Sequence, residues 1–251
     1  MAKAELPPSP PPSDDAADPA PRTLAESAYR RIREDILCGR LPPGAPLRSD
    51  GLRRDYALGV SPLREALTRL SAEKLVIAVE QRGFRVAPID AAEVRDITHL
   101  RILIEGDALR RSIAQGGLVW EARLTAAFHT LLGTSVPAGP GEAASASASA
   151  SASAWGRAHH TFHRTLIDGC AAPWALSLSE TLYLHSERYR ILHARVSAVD
   201  RRDTRAEHRD IVDAALAGDA DEAVASLARH YQRTERHVLA QLDRAHAAVE
   251  E

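Results

Sequence analysis

Residues 59–86 read GVSPLREALTRLSAEKLVIAVEQRGFRV. Ser61 is a good N-cap, and Pro62 suits the first helical position, where its missing N–H is no loss. Leu63, Leu67 and Leu70 then fall on one helix face, while Arg64 and Thr68 point elsewhere. Two short apolar runs follow, Val76–Val79 and Phe84–Val86, and Glu80-Gln81-Arg82-Gly83 joins them as a hairpin. Upstream, Leu24, Ala28, Ile32 and Ile36 recur at helical spacing, with Gly39 placed to end that helix. Gly39-Arg40-Leu41-Pro42-Pro43-Gly44 cannot continue it. Ser49 or Asp50 can cap a short second helix that turns Leu52 and Tyr56 inward. Three helices and a hairpin in this order read as a winged helix-turn-helix over residues 22–88.

The charge distribution agrees. The whole chain carries 32 Lys+Arg against 34 Asp+Glu, a formal −2, which excludes a uniformly basic nucleic-acid coat. Residues 22–86 hold 13 basic and eight acidic residues, a surplus of five that leaves −7 for the remainder. A helix-turn-helix sets the N-terminal turn of its second helix into the major groove. Arg64 then sits where a guanidinium can pair bidentately with guanine, with Ser61 and Thr68 beside it. Arg30, Arg31, Arg33, Arg48 and Arg53 are candidate phosphate clamps, and Arg82 with Gly83 forms the wing tip. Singly, each arginine is as readily an ordinary solvated charge. Together with the hairpin and the charge asymmetry they point to DNA.

The rest of the 251 residues reads as a second, helical unit. Residues 1–21 hold seven of the 15 prolines and few large apolar side chains, the composition of a disordered tail. Residues 137–154, with their Ala-Ser alternation, are expected to form a flexible loop. Apolar periodicity predicts helices near 91–115, 118–133, 155–168, 174–196, 203–217 and 220–248. The fold class is therefore mainly α, a winged helix-turn-helix followed by an all-helical antiparallel bundle over 91–248. No apolar run approaches the roughly 18 residues of a membrane span, and the start lacks the order of a secretory signal. Cys38 and Cys170 are too few for a disulfide framework, so a cytoplasmic protein is expected. His159 and His163 are helical neighbours, and a turn at Gly218-Asp219 brings His208 and His230 to similar heights. Four converging imidazoles suit Zn²⁺ or Ni²⁺, although on spacing alone His159/His163 is more readily an incidental polar pair. The remaining histidines have no convergent spacing. Trp120, Trp155 and Trp174, at helix starts, are assigned to packing, and Cys170 to the interior.

Several stretches resemble one family. Tyr29-Arg30-Arg31-Ile32-Arg33, the Gly39–Gly44 connector, Ser61-Pro62-Leu63-Arg64-Glu65-Ala66-Leu67 and Arg82-Gly83-Phe84-Arg85-Val86 are similar to the GntR transcription regulators of the FadR-type (FCD) branch. The likeness runs from residue 23 to about 240 and is nearest to the carbon-starvation, glutarate-responsive repressors. Where the family often has Ser-Arg-Thr, this chain has Gly59-Val60-Ser61, so Val60 replaces a commonly DNA-contacting arginine and the family's usual operator is not carried over. The resemblance implies a helical chamber with a metal held by an Asp and three His. His163, His208 and His230 match those histidines, and His159 stands in the place of the Asp, with His160 the neighbouring alternative. A neutral fourth ligand leaves the centre more cationic and favours an anionic effector.

The resemblance implies a sensor and not a catalyst, in which a small carboxylic acid would bind the metal through one end and pair with a chamber arginine at the other. Arg101 matches a pocket-facing position, and Arg188 is a second effector-binding candidate from helix phase. The plain alternative for Arg101 is a surface pair with Glu105. The expected function is a homodimeric operator-binding repressor, not an enzyme, released by a small carboxylate metabolite. A metalloenzyme using the four histidines and a metal-free ligand sensor are the other readings.

Overall fold

The computed structural model describes residues 23–37, 39–79, 83–134, 146–194 and 203–250. The expected tail over 1–21, the wing tip at Arg82 and the loop residues 137–145 lie outside them. Helix α1 (Leu24–Leu37) buries Ala28, Tyr29, Ile32 and Ile36. Gly44, at φ +78°, turns the chain into β1 (Pro46–Leu47), followed by α2 (Ser49–Tyr56) and α3 (Val60–Ala72). Strands β2 (Val76–Val79) and β3 (Gly83–Val86) close the unit as an antiparallel sheet in the order β1-β3-β2. Leu47 pairs with Phe84, and Val76 with Val86. A two-residue Pro-Leu strand has no alternation to betray it, and its proline sits at a sheet edge, where the missing N–H does no harm. Helix α3 starts one residue before Ser61: Gly59 occupies the cap position with no side-chain bond, so the expected Ser61 cap is not formed. Arg48, not Ser49 or Asp50, precedes α2, also without a side-chain cap. Ile32, Leu47, Leu52, Leu63, Leu67, Leu70, Leu75, Val76 and Val86 share one core.

The second unit contains α4 (Ala91–Gln115), α5 (Gly117–Gly133), α6 (Ala146–Ile167), a 3₁₀ turn (Asp168–Cys170), α7 (Pro173–Ala194), α8 (Thr204–Leu216) and α9 (Ala220–Glu250). Asp90 caps α4 by accepting from the Ala92 N–H at 2.8 Å, and Asp203 caps α8 from Ala206 at 3.0 Å. Gly117 and Gly218, at φ +61° and +77°, make the turns into α5 and α9. Residues 146–154, expected in a flexible loop, are the first turns of α6. Alanine is the best helix former, and no Gly or Pro interrupts the tract, so the alternation extends the helix rather than breaking it. Leu109, Trp120, Leu124, Phe162, Leu166, Ile211 and Leu227 form the core, and buried Trp120 donates to the Thr165 carbonyl at 2.8 Å. Cys170 is buried as expected, but Trp174 is 83% exposed and anchors nothing. No described helix is long and apolar enough to cross a membrane.

Helix α7 joins the two units. Leu184 packs into the core of the N-terminal unit, and Arg188, 2% exposed, donates through Nη2 to the linker carbonyls of Ala87 and, at 3.0 Å, Pro88. Its Nη1 stands 3.8 Å from Glu93. Arg188 therefore faces the linker and not the interior of the bundle, so the expected effector-binding position is not formed; helix phase could not separate these two buried directions. Burial lowers the pKa of its guanidinium from the ordinary value, and Glu93 opposes that shift. Arg188→Ala leaves two linker carbonyls without their donor, so urea denaturation is expected to report a loss of about 1–3 kcal/mol.

Candidate DNA interface and metal centre

Helix α3 turns Leu63, Ala66, Leu67 and Leu70 inward and presents Val60, Ser61, Arg64, Glu65 and Thr68 to solvent. The Thr68 hydroxyl donates to the Arg64 carbonyl at 2.9 Å, which keeps it within its own helix. Arg48 and Arg53 are exposed at α2, Arg53 with only a 3.8 Å approach to Asp50. The arginines of α1 are more engaged than expected. Arg30 pairs with Glu26 at 2.8 Å, and Arg31 donates to the Tyr56 carbonyl at 2.9 Å while lying over the Tyr56 ring. Arg33 is half-buried. Gly83 opens β3 at φ +87°. Sequence reasoning passed over Arg54 and Arg85, both exposed. The alternation Phe84-Arg85-Val86 carried the signal for Arg85, because it sets the arginine opposite buried Val86.

In the bundle, α6 contributes His159 and His163, α8 His208 and α9 His230. All four are buried, and one ring nitrogen from each lies within 4.8 Å of the others. His160 points away, half-exposed, and pairs with Glu180 at 2.9 Å. The outer nitrogens of the cluster have partners. His230 Nδ1 donates to Glu207 at 2.8 Å, His163 Nδ1 meets the Tyr231 hydroxyl at 3.1 Å, and His159 Nδ1 lies 3.4 Å from the Tyr183 hydroxyl. These contacts fix the rings and leave Nε2 facing inward, as second-shell groups do in metal sites. His159 Nε2 and His163 Nε2 stand 3.1 Å apart. Two imidazole nitrogens on one tetrahedral Zn²⁺ would stand about 3.3 Å apart, given bonds of about 2.0–2.1 Å. Burial first, then the neighbouring His230, His208 and Arg101, pushes the His163 pKa well down, which keeps its ring in the neutral, ligating form. The donor set fits a borderline divalent ion.

A cavity of about 80 Å³ opens against the cluster, bounded by Trp155, Tyr189, Val94 and Val238 as well as His159, His208, His230 and Arg101. Trp155, which lies inside α6 rather than at its start, stacks on His159 with ring centroids 4.6 Å apart. Arg101 combines the two sequence readings: it pairs with Glu105, but in the interior. Nε and Nη2 meet the Glu105 carboxylate at 2.7 and 3.2 Å, Nη2 also donates to Tyr231 at 2.8 Å, and Nη1 donates to Ser186 at 3.0 Å. Burial alone would lower the Arg101 pKa, but Glu105 together with Tyr231 and Tyr183 outweighs it and the net shift is upward. Tyr231 donates to Glu105, and burial holds its phenol well above the ordinary range. Glu207, Tyr231 and Tyr183 went unnoticed in the sequence because no spacing ties them to the histidines; only the adjacency of Glu207 to His208 and of Tyr231 to His230 hinted at two of them.

Comparison with known proteins agrees with this architecture. Residues 24–86 match the model of bacterial regulatory proteins of the gntR family, and residues 96–233 match the FCD domain. BphR, an HTH-type transcriptional regulator of Paraburkholderia xenovorans (strain LB400), is 34% identical over 223 residues, which span 86% of this chain and 87% of that protein. The HTH-type transcriptional repressor GlaR of Escherichia coli (strain K12) is 35% identical over 205 residues, 80% of this chain and 90% of its own. Among solved structures, a putative transcriptional regulator GntR from Rhodococcus sp. RHA1 shares the fold at TM-score 0.68 and 18% identity, over 86% of this chain and 97% of that one. Escherichia coli McbR/YncC does so at TM-score 0.66 and 16% identity, over 88% and 99%. With a winged helix-turn-helix head and an FCD bundle matched along nearly its whole described length, the chain belongs to the FCD branch of the GntR family, a transcription regulator and not an enzyme.

Proposed function

We propose that this regulator is a homodimeric repressor whose hold on operator DNA is set by a small carboxylate bound at a metal centre of His159, His163, His208 and His230. The observation that carries the reading is the closure of four buried imidazoles beside a cavity. Zn²⁺ or Ni²⁺ held there would supply a Lewis-acidic centre for an anionic ligand. The chain's own residues do the rest. Glu207, Tyr231 and Tyr183 orient the rings, and Trp155, Val94 and Val238 line the cavity with apolar surface. Of the five guanidinium N–H groups of Arg101, four have partners, which leaves one on Nη1 to donate to a ligand. Repression is the role printed in the name of the Escherichia coli relative. Dimerisation follows from the short half-site that one reading head spans.

On the DNA, Arg64 is assigned to guanine, with Ser61 and Thr68 beside it. Arg48 and Arg53 are assigned to phosphates, Arg30, Arg31 and Arg33 to the flanking backbone, and Gly83 with Arg82 to the wing. An effector shifts operator binding only if it favours one arrangement of the heads over another. Helix α7 supports such coupling, because Tyr183 and Ser186 meet the chamber while Leu184 and Arg188 hold the head and the linker.

Arg64→Ala is expected to cost about 1–3 kcal/mol of operator binding by fluorescence anisotropy, while Arg48→Ala and Arg53→Ala each flatten the salt dependence by about one unit of slope. A salt-independent affinity would count against this face. For the chamber, a carboxylate at a hundredfold excess over its Kd should raise the melting midpoint by about 5–10 °C, and chelator or His163→Ala should abolish the rise. Metal analysis that finds well under one ion per chain would instead favour a metal-free sensor.

A further inference from the structure

The face that α3 offers to DNA has one feature the arginine assignments leave unused. Val60 begins the helix and is 54% exposed, an apolar β-branched side chain in a row that is otherwise polar. The other exposed large apolar residues of the head, Leu24 and Ile77, lie at the start of α1 and on β2. Val60, Arg64 and Thr68 are spaced four residues apart, so each stands about 40° around the helix from the last, on one ridge. Neighbours at this spacing lie about 5–6 Å apart at Cβ, a distance that matches one or two base-pair steps. Gly59, the preceding residue, is not demanded by the fold. Its φ of −70° is open to any residue, and a Cβ there would meet only Pro62 Cδ, at an ordinary 3.8 Å. The glycine keeps the approach to Val60 low. The unit that carries this apolar tip has a surplus of basic residues, with Arg48, Arg53, Arg64 and Arg85 all exposed, which suits a polyanion and not an apolar protein partner.

In the major groove, the one apolar group that a base edge offers is the C5-methyl of thymine. We infer that Val60 is a specificity-determining residue that reads a thymine methyl one or two base pairs from the guanine read by Arg64. The inference rests on the reading of α3 as the helix that enters the groove. A valine offers a guanine no donor, so this position selects thymine by contact with its methyl group.

The test begins with selection of bound duplexes from a pool with a random core, using the full-length protein. The recovered sequences should share a guanine with a thymine within two base pairs. Replacing that thymine by deoxyuridine removes only the methyl and should weaken wild-type binding about fourfold. Val60→Ala should bind the thymine and deoxyuridine duplexes alike. Equal wild-type affinity for the two duplexes, or the same methyl dependence in Val60→Ala, overturns the inference even where Arg64→Ala abolishes binding. Undiminished binding by Arg64→Ala overturns the placement of α3 in the groove, and the assignment of Val60 with it. The wild-type duplex comparison needs no variant, so the inference stays testable whatever Val60→Ala does to folding.

Discussion

Four imidazoles buried in a helical bundle have no bulk water to meet their ring nitrogens, and this constraint organises the second unit. Each outer nitrogen that has a described partner reaches a different element: His230 meets Glu207 on α8, His163 meets Tyr231 on α9, and His159 meets Tyr183 on α7. Tyr231 in turn engages Glu105 and Arg101 on α4, and Arg101 reaches Ser186 on α7. One polar network thus ties five helices through a core that is otherwise apolar. Removing a member would strand the buried polar group that it meets, so each of these contacts is costly to break. Burial keeps His163 neutral, so the constraint that holds the helices together also leaves that ring in the form that can ligate a cation.

The head is held by different means. Its core is aliphatic, and its arginines divide into those that brace the domain and those left outward. Arg31 ties α1 to α2 through the Tyr56 carbonyl, and Arg69 bridges α3 to Glu26 at 2.7 Å while lying over Tyr29. Arg48, Arg64 and Arg85 remain exposed. A basic surplus in a small domain therefore serves the fold as well as a ligand, and Arg31, which braces the domain while staying exposed, can do both. The bracing arginines fix the attitude of α3, and that attitude decides which side chains meet a groove.

Helix α7 is in contact with both units. Within six residues it carries Tyr183 and Ser186, which meet His159 and Arg101, and Leu184 and Arg188, which meet the head and the linker. Besides the linker itself, α7 is thus a second physical connection between the two units. Side chains on opposite faces of one rigid rod cannot move independently, which gives a physical basis for linkage without a chain of small displacements.

Periodicity and punctuation alone determined the winged helix-turn-helix, the helical bundle and the candidate histidines, because these depend on local rules: apolar spacing, helix-ending glycines and prolines, and i,i+4 neighbours. They misjudged the Ala-Ser tract, since alternation without bulk carries no strand or loop signal and alanine simply continues a helix. The family resemblance supplied which histidines to group, but not their support. Only the tertiary structure decided that Arg101 is neutralised in the interior by Glu105, that Arg188 grips the linker, and that Glu207 and Tyr231 orient the rings. Those are contacts between residues up to 101 positions apart. A sequence records which side chains a helix turns inward, but what each one meets there depends on how the helices pack.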